Sequence, residues 1–293
     1  MQIHLVDATY ELFRAHYAPR PRVFARDGRE VGAVVGLLYT LLTLLRDEGA
    51  THIGCASDHV IRSFRNDLYA GYKTEAGVPA ELLDQFPLAE RAMAALGLVV
   101  WPMTDYEADD ALATAAARWA DAPGIDRILV CTPDKDLAQC VRGGQVVMRD
   151  RRRDRTVDEA GVVERWGVGP ASIPDYLALV GDAADGFPGL PGWGARSAAA
   201  VLGRFAHFEA IPANPGEWGV DVRSPAGLNA TLRQQWPDAL LYRRLATLVT
   251  DVPLPEREPE ELRWHGARRA AFEALCEELA QPRLAERPHL WQD

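Results

Sequence analysis

Residues 128–136 read Ile-Leu-Val-Cys-Thr-Pro-Asp-Lys-Asp, a short apolar run that ends in two aspartates. The same form occurs twice earlier, where Ile3–Val6 leads into Asp7 and Ile53–Ala56 leads through one serine into Asp58. Short β-rich runs of this kind are typical of strands buried in a parallel sheet. Strands that alternate with helices predict an α/β fold with a mostly parallel sheet. The apolar spacing places helices over 31–46, 82–96 and 108–119.

The composition changes after about residue 158, where strand signals end and Ala, Leu and Arg dominate. A last strand is expected at 145–148. We predict an α/β core over 1–160, a helical domain over 161–260, and a linker with a docked helix over 261–293. The later helices are expected at 158–166, 173–179, 197–205, 228–235, 239–247 and 268–279.

The composition excludes several classes of protein. With 48% hydrophobic and 25% charged residues, the chain of 293 residues is typical of a globular protein. It has no apolar run of the roughly 18 residues that a membrane helix needs, and its start does not resemble a signal peptide. Four cysteines without CxxC spacing argue against a zinc site and indicate a reducing cytoplasm. The net charge of −10 argues against nucleic acid as a partner, unless the acidic residues are clustered.

The acidic residues are in fact clustered. The carboxyl ends of parallel strands meet at one edge of a sheet, so the aspartates that follow the three strands are expected to converge there. Two further groups stand at the start of a predicted helix and in the motif Gly-Asp-Ala-Ala-Asp-Gly. Taken singly, such acids are often helix caps or parts of polar loops. The nine candidates are Asp7, Asp58, Glu107, Asp109, Asp110, Asp134, Asp136, Asp182 and Asp185.

Nine converging carboxylates would repel one another strongly unless cations lay between them. Oxygen ligands without His or Cys select hard divalent ions, Mg²⁺ or Mn²⁺. So many acids predict two ions, and a pair of ions about 4 Å apart is suited to in-line displacement at phosphorus.

Only two of the 32 basic residues are lysines, and both, Lys73 and Lys135, border these acidic motifs. Lys73 follows Arg65 by eight residues. On one helix the two side chains would point to a similar side and could hold a phosphate. An ordinary solvated helix face is the alternative.

A glycine-rich stretch over 187–197 leads into an Ala-rich segment. Glycines let the backbone approach a ligand closely, and a helix start offers free N–H groups to phosphate. The candidate DNA contacts are Gly189, Gly192, Gly194 and Arg196. A tight connection is the simpler interpretation, and the stretch does not match a P-loop. The arginine-rich run 149–155 is expected to be a solvated loop, with phosphate contact as the alternative.

Together these motifs resemble the 5′-nuclease (flap endonuclease-like) family, and within it the 5′→3′ exonuclease domain that begins bacterial DNA polymerase I. The resemblance covers most of the chain, from Leu5 to about Val252. The motifs that carry it are Val6-Asp7, Ser57-Asp58, Phe64-Arg65, Tyr72-Lys73, Glu107-Ala-Asp-Asp110, Asp134-Lys-Asp136, Gly181-Asp-Ala-Ala-Asp185 and Pro188-Gly-Leu-Pro-Gly-Trp-Gly194.

The resemblance implies a PIN-like α/β core with helices on both faces of its sheet and a helical arch at about 60–90. It also implies a helix–three-turn–helix domain that holds duplex DNA, often with a bound K⁺. The implied activity is hydrolysis of DNA at a 5′ end or 5′ flap by two metal ions, in replication and repair. By analogy the ligands of the first ion are Asp7, Asp58, Glu107 and Asp109, and those of the second are Asp134, Asp136, Asp182 and Asp185. The analogy also implies that Asp109 is shared between the two ions and that Asp110 acts through water. Arg65 and Lys73 would contact the scissile phosphate.

Some positions depart from the family pattern. Pro133, Ser57 and Gly186 stand where the family usually has Gly, Phe and Asn, and residues 74–90 carry no Lys or Arg where the arch is usually basic. We expect a free-standing, monomeric, cytoplasmic enzyme associated with the nucleoid, with no membrane partner. The alternatives are a PIN-domain ribonuclease, which should lack the glycine turn, and a catalytically weak DNA-junction binding protein.

Overall fold

The computed structural model describes residues 1–292, which form two compact units. The first unit contains residues 1–61, 75–132 and those from 250 onward, and the second contains 62–74 and 133–249. These units do not follow the predicted division at residue 160, because the chain leaves the first unit after residue 61 and returns to it twice. The division of the sequence into domains stays a prediction.

The strands and helices alternate through the first half of the chain. The strands are β1 (Gln2–Asp7), β2 (His52–Asp58), β3 (Val99–Met103), β4 (Arg127–Cys131), β5 (Val146–Asp150), β6 (Arg155–Val157), β7 (Ala267–Arg268) and β8 (Trp291–Gln292). The helices are α1 (Ala8–His16), α2 (Gly32–Arg46), α3 (Arg65–Leu68), α4 (Ala80–Leu83), α5 (Phe86–Ala95), α6 (Ala108–Trp119), α7 (Glu159–Trp166), α8 (Ile173–Val180), α9 (Ala195–Phe205), α10 (Pro225–Gln234), α11 (Trp236–Ala246) and α12 (Arg269–Glu278). None of the helices in residues 1–292 is both long enough and apolar enough to span a bilayer.

In the first unit, four parallel strands lie in the order β3-β2-β1-β4. Val6 of β1 is in register with Cys55 on one side and Cys131 on the other. The three strands predicted from the apolar runs are confirmed. The sequence analysis missed β3, which lies at the edge of the sheet and contains Pro102. Proline is tolerated at a sheet edge and weakens the pattern that identifies a strand.

Helices cover both faces of these four strands. Val6, Ile53 and Cys55 are buried in one core cluster with residues of α2 and α5. Leu5 is equally buried, and because side chains alternate along a strand it points to the opposite face. α6 packs against β1, β2 and β3, and its residues 108–119 take no part in that cluster. The predicted α/β fold with helices on both faces is confirmed.

The helix predicted over 82–96 is divided in the structure. α4 ends at Leu83, and α5 begins at Phe86 with Pro87 in its first turn. Proline fits the first turn of a helix but cannot continue one, because it has no N–H to donate. The predicted arch at about 60–90 likewise holds little helix, since α3 and α4 are four residues each.

The second unit has a helical core of its own. Leu177 of α8, Val201 of α9 and Leu245 of α11 are buried in one cluster, to which Trp218 also belongs. β5 and β6 pair antiparallel, so the arginine-rich run lies in and beside a tight hairpin. The predominance of helices after residue 158 is confirmed.

Candidate metal and nucleic-acid site

Three buried aspartates of the second unit come together: Asp136, Asp182 and Asp185. One carboxylate oxygen of each lies within 4.8 Å of the other two. Only 4–8% of each residue is exposed. Carboxylate oxygens at this spacing are the ligands that hard divalent cations such as Mg²⁺ and Mn²⁺ prefer.

One short turn holds two of these aspartates. The backbone N–H of Asp182 donates to the carbonyl of Phe187 at 2.8 Å, and the N–H groups of Gly186 and Phe187 donate back to the carbonyl of Asp182. Asp182 Oδ1 also accepts from the N–H of Ala184 at 3.0 Å. The turn is therefore closed by its own backbone and presents Asp182 and Asp185 toward one point.

Asp136 supplies the third carboxylate and begins a 3₁₀ helix that ends at Cys140. Its backbone N–H donates to Asp134 Oδ1 at 3.1 Å, but Asp134 lies outside the group of three. Asp136 Oδ1 is buried without a hydrogen-bond partner in residues 1–292. A buried carboxylate oxygen without a donor is costly unless a cation meets it. The residues present therefore fit a divalent ion.

The pKa of Asp136 reflects this environment. Burial raises it well above the usual range of a carboxyl group, and the neighbouring charges of Asp134, Asp185 and Asp182 raise it further. Without a cation, the folded chain therefore holds the Asp136 proton to a higher pH than the unfolded chain does.

This shift predicts a pH dependence of stability. Above about pH 4 the unfolded chain releases the Asp136 proton while the folded chain retains it, so the free energy of unfolding falls as pH rises through this window. In EDTA we expect Asp136→Asn to be more stable than the wild type at pH 8 and to lose the difference at pH 4. Melting curves at both pH values test this. An unchanged pH dependence in the variant would contradict it.

The two lysines of the chain each contact one member of the group. Lys135 Nζ lies 2.5 Å from Asp182 Oδ2, and Lys73 Nζ lies 3.2 Å from Asp185 Oδ1. Burial alone would lower the pKa of Lys135, but the hydrogen bond and charge of Asp182 outweigh it and raise that pKa above its ordinary value. Lys135 is therefore a cation in this site.

Gly186 explains how Lys73 comes to lie beside the turn. The backbone N–H of Lys73 donates to the carbonyl of Asp185 at 3.0 Å. Gly186 has φ +85°, and a Cβ placed there would lie 2.2 Å from the carbonyl oxygen of Gly71. The asparagine common in the family would not fit this close approach. The backbone path of residues 71–73 therefore requires glycine at position 186.

Arg65 and Lys73 do not share a helix, so the single-helix arrangement considered for them does not occur. α3 ends at Leu68, so Lys73 lies beyond it. Arg65 is 1% exposed, and its guanidinium donates to the carbonyls of Leu245 at 2.8 Å and Thr247 at 3.1 Å. The side chain predicted to hold a phosphate thus holds the C-terminal end of α11.

The acids of the first unit bond to nearby backbone and hydroxyl groups. Asp7 caps α1 by accepting from the N–H of Tyr10, and its other oxygen accepts from the hydroxyl of Thr132 at 3.0 Å. Asp58 Oδ1 accepts from the N–H of Ala108 at 2.7 Å. These are the cap-like roles that the sequence left open as an alternative.

Glu107 and Asp110 form a capping box at the start of α6, in which Asp110 Oδ2 accepts from the N–H of Glu107 at 3.0 Å. Asp109 lies in the same first turn. In residues 1–292, only the group of Asp136, Asp182 and Asp185 places three such ligand atoms within 4.8 Å of one another. The predicted first-ion residues do not form a second group of that kind.

A groove of about 850 Å³ lies beside the glycine turn of the second unit. Gly192, Gly194 and Arg196 line it, whereas Gly189 does not. Gly194 ends the turn, and its N–H donates to the hydroxyl of Ser197 at 3.0 Å. The other lining residues are Pro191, Ser197, Asp221, Val222, Arg223, Ser224, Gly227, Leu228 and Thr231.

Two residues near these features were missed by the sequence analysis. Arg223 lines the groove from a stretch that carries no motif, so only the fold identifies it. Gln139 donates to the carbonyls of Asp136 and Ala246 and accepts from the N–H of Leu248. It thereby joins the 3₁₀ helix of Asp136 to the end of α11, a link that spacing along the sequence cannot reveal.

Gly189 is required by packing. Its φ is +71°, and a Cβ there would lie 2.4–2.7 Å from backbone atoms of Leu179, Val180 and Gly181. We expect Gly189→Ala to cost about 2–4 kcal/mol, from backbone strain plus overpacking. Gly194→Ala is the matched control, because a Cβ at Gly194 meets no atom within 4 Å. Urea titrations of both variants test this, and equal losses would contradict it.

Two family models match the chain in succession. The model described as the 5′-3′ exonuclease, N-terminal resolvase-like domain matches residues 2–167. The model described as the 5′-3′ exonuclease, C-terminal SAM fold matches residues 168–270.

Curated relatives include DNA polymerase I of Mycobacterium leprae, 37% identical over 256 residues, which cover 85% of this chain and 27% of that protein. DNA polymerase I of Rhizobium leguminosarum is 35% identical over 260 residues, which cover 86% of this chain and 25% of that protein. The chain therefore spans about a quarter of the length of these relatives.

Solved structures share the fold at low identity. The flap endonuclease of bacteriophage T5, in a pseudo-enzyme-product complex with DNA and metal ions, has a TM-score of 0.64 at 16% identity and covers 98% of this chain and 100% of its own. The catalytic core of Rad2 in complex with a DNA substrate has a TM-score of 0.61 at 14% identity and covers 98% and 89%. With both of its domain models matched in order, the chain belongs to the 5′-3′ exonuclease family and is a nuclease, a hydrolase of phosphodiester bonds.

Proposed function

We propose that this chain is a structure-selective 5′ nuclease that cuts DNA at 5′ ends and 5′ flaps with two divalent ions, in replication and repair. The observation that carries the proposal is the group of Asp136, Asp182 and Asp185, with its buried, unpartnered oxygen on Asp136. Three buried acids in one place are unfavourable without a cation, and nuclease chemistry at phosphorus uses such cations.

For the second ion we propose Asp134, Asp136, Asp182 and Asp185 as ligands, Asp134 joining the group of three through its bond to the Asp136 N–H. When bound, Mg²⁺ or Mn²⁺ would activate water and stabilise the leaving oxygen. The turn of Asp182 and Asp185 holds its carboxylates in place by backbone hydrogen bonds, which fixes their geometry before substrate arrives.

For the first ion we retain Asp7, Asp58, Glu107 and Asp109 as a proposal, with Asp110 acting through water. Asp7 and Asp58 end adjacent strands, and Asp58 receives the N–H that follows Glu107, which supports their grouping. Their cap bonds occupy some of the same oxygens. A bound ion would have to share or replace these contacts.

Among the basic residues we propose Lys73 for the scissile phosphate, because its ammonium already lies beside Asp185 and its side chain is 25% exposed. Arg65 was predicted for the same task. Its burial and its bonds to Leu245 and Thr247 favour a supporting role instead.

For duplex DNA we propose the groove beside Gly192, Gly194 and Arg196, where Arg196 and Arg223 would meet phosphates. The K⁺ that the family resemblance implies would belong to this helix–three-turn–helix. Comparing DNA affinity in KCl and NaCl at equal ionic strength tests that ion. We further propose a monomer that works in the cytoplasm at the nucleoid.

The deciding experiment is cleavage of a labelled 5′-flap duplex beside single-stranded DNA and RNA, each in Mg²⁺, Mn²⁺ and EDTA. We expect cutting near the flap junction and only with a divalent ion. Faster cutting of RNA would favour a PIN-type ribonuclease. Junction binding without any cutting would support a DNA-binding protein and overturn the proposal.

A further inference from the structure

Lys135 occupies an unusual place in the group of acids. It stands between Asp134 and Asp136 in the chain, yet its ammonium contacts Asp182, 2.5 Å away. The Asp182 side chain is 4% exposed, whereas that of Lys135 is 34% exposed. Asp182 is thus enclosed by the protein, whereas Lys135 reaches solvent.

The charges of the group explain what the contact does. When all three are ionised, Asp136, Asp182 and Asp185 carry three negative charges, and Lys135 and Lys73 bring two positive charges to them. The chain has no other lysine, although it has 32 basic residues. A lysine ammonium is a compact charge on a flexible stem, able to leave a carboxylate without disturbing the backbone.

A divalent ion held by the three aspartates would compete with Lys135 for Asp182. The Asp182 Oδ1 atom already accepts from the N–H of Ala184, and Oδ2 is the atom that Lys135 contacts. A bound ion and the ammonium would therefore compete for the same carboxylate, and because the Lys135 side chain is 34% exposed, its ammonium has a path to solvent when it leaves Asp182.

We propose that Lys135 is a displaceable counter-ion: it balances Asp182 while the site lacks a divalent ion, and it passes to a DNA phosphate once the ion is bound. This inference rests on the proposed function, because it needs a DNA substrate at the same site. If this exchange occurs, Lys135 contacts a DNA phosphate only after the site has bound a divalent ion.

Two measurements test the inference on the intact chain. The first is calorimetric titration with Ca²⁺ alone. Lys135→Gln removes the competitor and should bind Ca²⁺ about fivefold more tightly than the wild type, the effect of one partly exposed ion pair. Arg46→Gln is the matched control, since it removes one positive charge from an exposed ion pair with Asp47. Equal Ca²⁺ affinity in Lys135→Gln and wild type would overturn the counter-ion role.

The second measurement is the salt dependence of binding to a fluorescent 5′-flap duplex, in EDTA and in Ca²⁺ under conditions where no cleavage occurs. One phosphate contact contributes about 0.9 to the slope of log affinity against log salt concentration. In Ca²⁺ we expect Lys135→Gln to lose about that much slope, whereas in EDTA it should match the wild type. Lys135→Arg should keep the wild-type slope in both.

The outcomes distinguish a failure of the Lys135 exchange from a failure of the proposed function. An equal loss of slope in EDTA and Ca²⁺ would show a permanent phosphate contact and overturn the exchange. No loss of slope in either EDTA or Ca²⁺ would mean that Lys135 contacts no phosphate. It would overturn the exchange and leave Lys135 in an ordinary ion pair with Asp182. If the wild type bound no duplex at all, the proposed DNA substrate and the phosphate contact would both fall, while the Ca²⁺ titration would still decide the counter-ion role.

Discussion

Asp182→Ala is expected to reduce cleavage of a 5′-flap duplex in Mg²⁺ by about 10²–10³-fold, the effect of removing one fixed electrostatic group from an active site. Asp182 is 4% exposed and holds one corner of the three-carboxylate group. Its loss leaves two close ligands where three are needed, and no neighbouring side chain of residues 1–292 completes such a group. Single-turnover rates at saturating enzyme measure this loss without the contribution of product release.

The fold should survive this change. Removing Asp182 also removes its repulsion of Asp136 and Asp185, which offsets the lost bond to the N–H of Ala184 and the lost ion pair with the partly exposed Lys135. We therefore expect the melting temperature in EDTA to stay within a few degrees of the wild type. A variant with full cleavage activity would remove Asp182 from the site, and one that failed to fold would make the turn structural.

Asp150→Ala provides the control. Asp150 is also a buried acid of the second unit, 8% exposed, but it pairs with Arg153 in the β5–β6 hairpin. Bonding to Arg153 outweighs the effect of burial and lowers the pKa of Asp150. We expect this variant to lose stability and to keep its cleavage rate. The two variants together separate an acid that serves chemistry from one that serves the fold.

The candidate acids could be named from the sequence because they follow strand and turn patterns; of the nine, the structure groups Asp136, Asp182 and Asp185, and the full ligand set stays a prediction. Asp7, Asp58 and Asp134 follow apolar runs, and the structure confirms those runs as strands. Asp182 and Asp185 belong to one short motif of the sequence, and a closed turn holds both of them. Short apolar runs and short turns are specified by neighbouring residues, so they can be recognised in a single sequence.

Contacts between distant segments could not be predicted in this way. The spacing of Arg65 and Lys73 fits a helix, but nothing local shows that α3 stops after four residues. The pairing of Lys135 with Asp182 joins residues 47 positions apart, and the hydrogen bonds of Gln139 to Ala246 and Leu248 span more than 100. Such contacts depend on packing, which one sequence does not display.

The second large effect is expected at Arg65, where we predict that Arg65→Met lowers the free energy of unfolding by about 3–5 kcal/mol. The guanidinium is 1% exposed and donates to the carbonyls of Leu245 and Thr247 at the end of α11. A helix leaves its last carbonyls without partners and carries partial negative charge there, so a buried cation is strongly favoured. Methionine keeps much of the volume and removes all the donors.

Thermal melting measures this loss, expected as a fall of about 6–15 °C in Tm. Lys73→Ala is the matched comparison, because the Lys73 side chain is 25% exposed and pairs with Asp185 at 3.2 Å. We expect this variant to melt close to the wild type but to cleave far more slowly, since it loses the proposed contact with the scissile phosphate. At a temperature where both variants are folded, Arg65→Met should be the faster nuclease.

The opposite result would be equally informative about Arg65. A variant that melts like the wild type but has lost cleavage would mean that the guanidinium leaves Leu245 and Thr247 to meet the phosphate, as the family resemblance implies. Two carbonyls at the end of α11 would then lose a buried donor in the substrate complex, at a cost of about 1–3 kcal/mol each. The free energy of substrate binding would have to offset that cost. Because it is large, we expect the stability of the fold, and not the chemistry, to depend on Arg65.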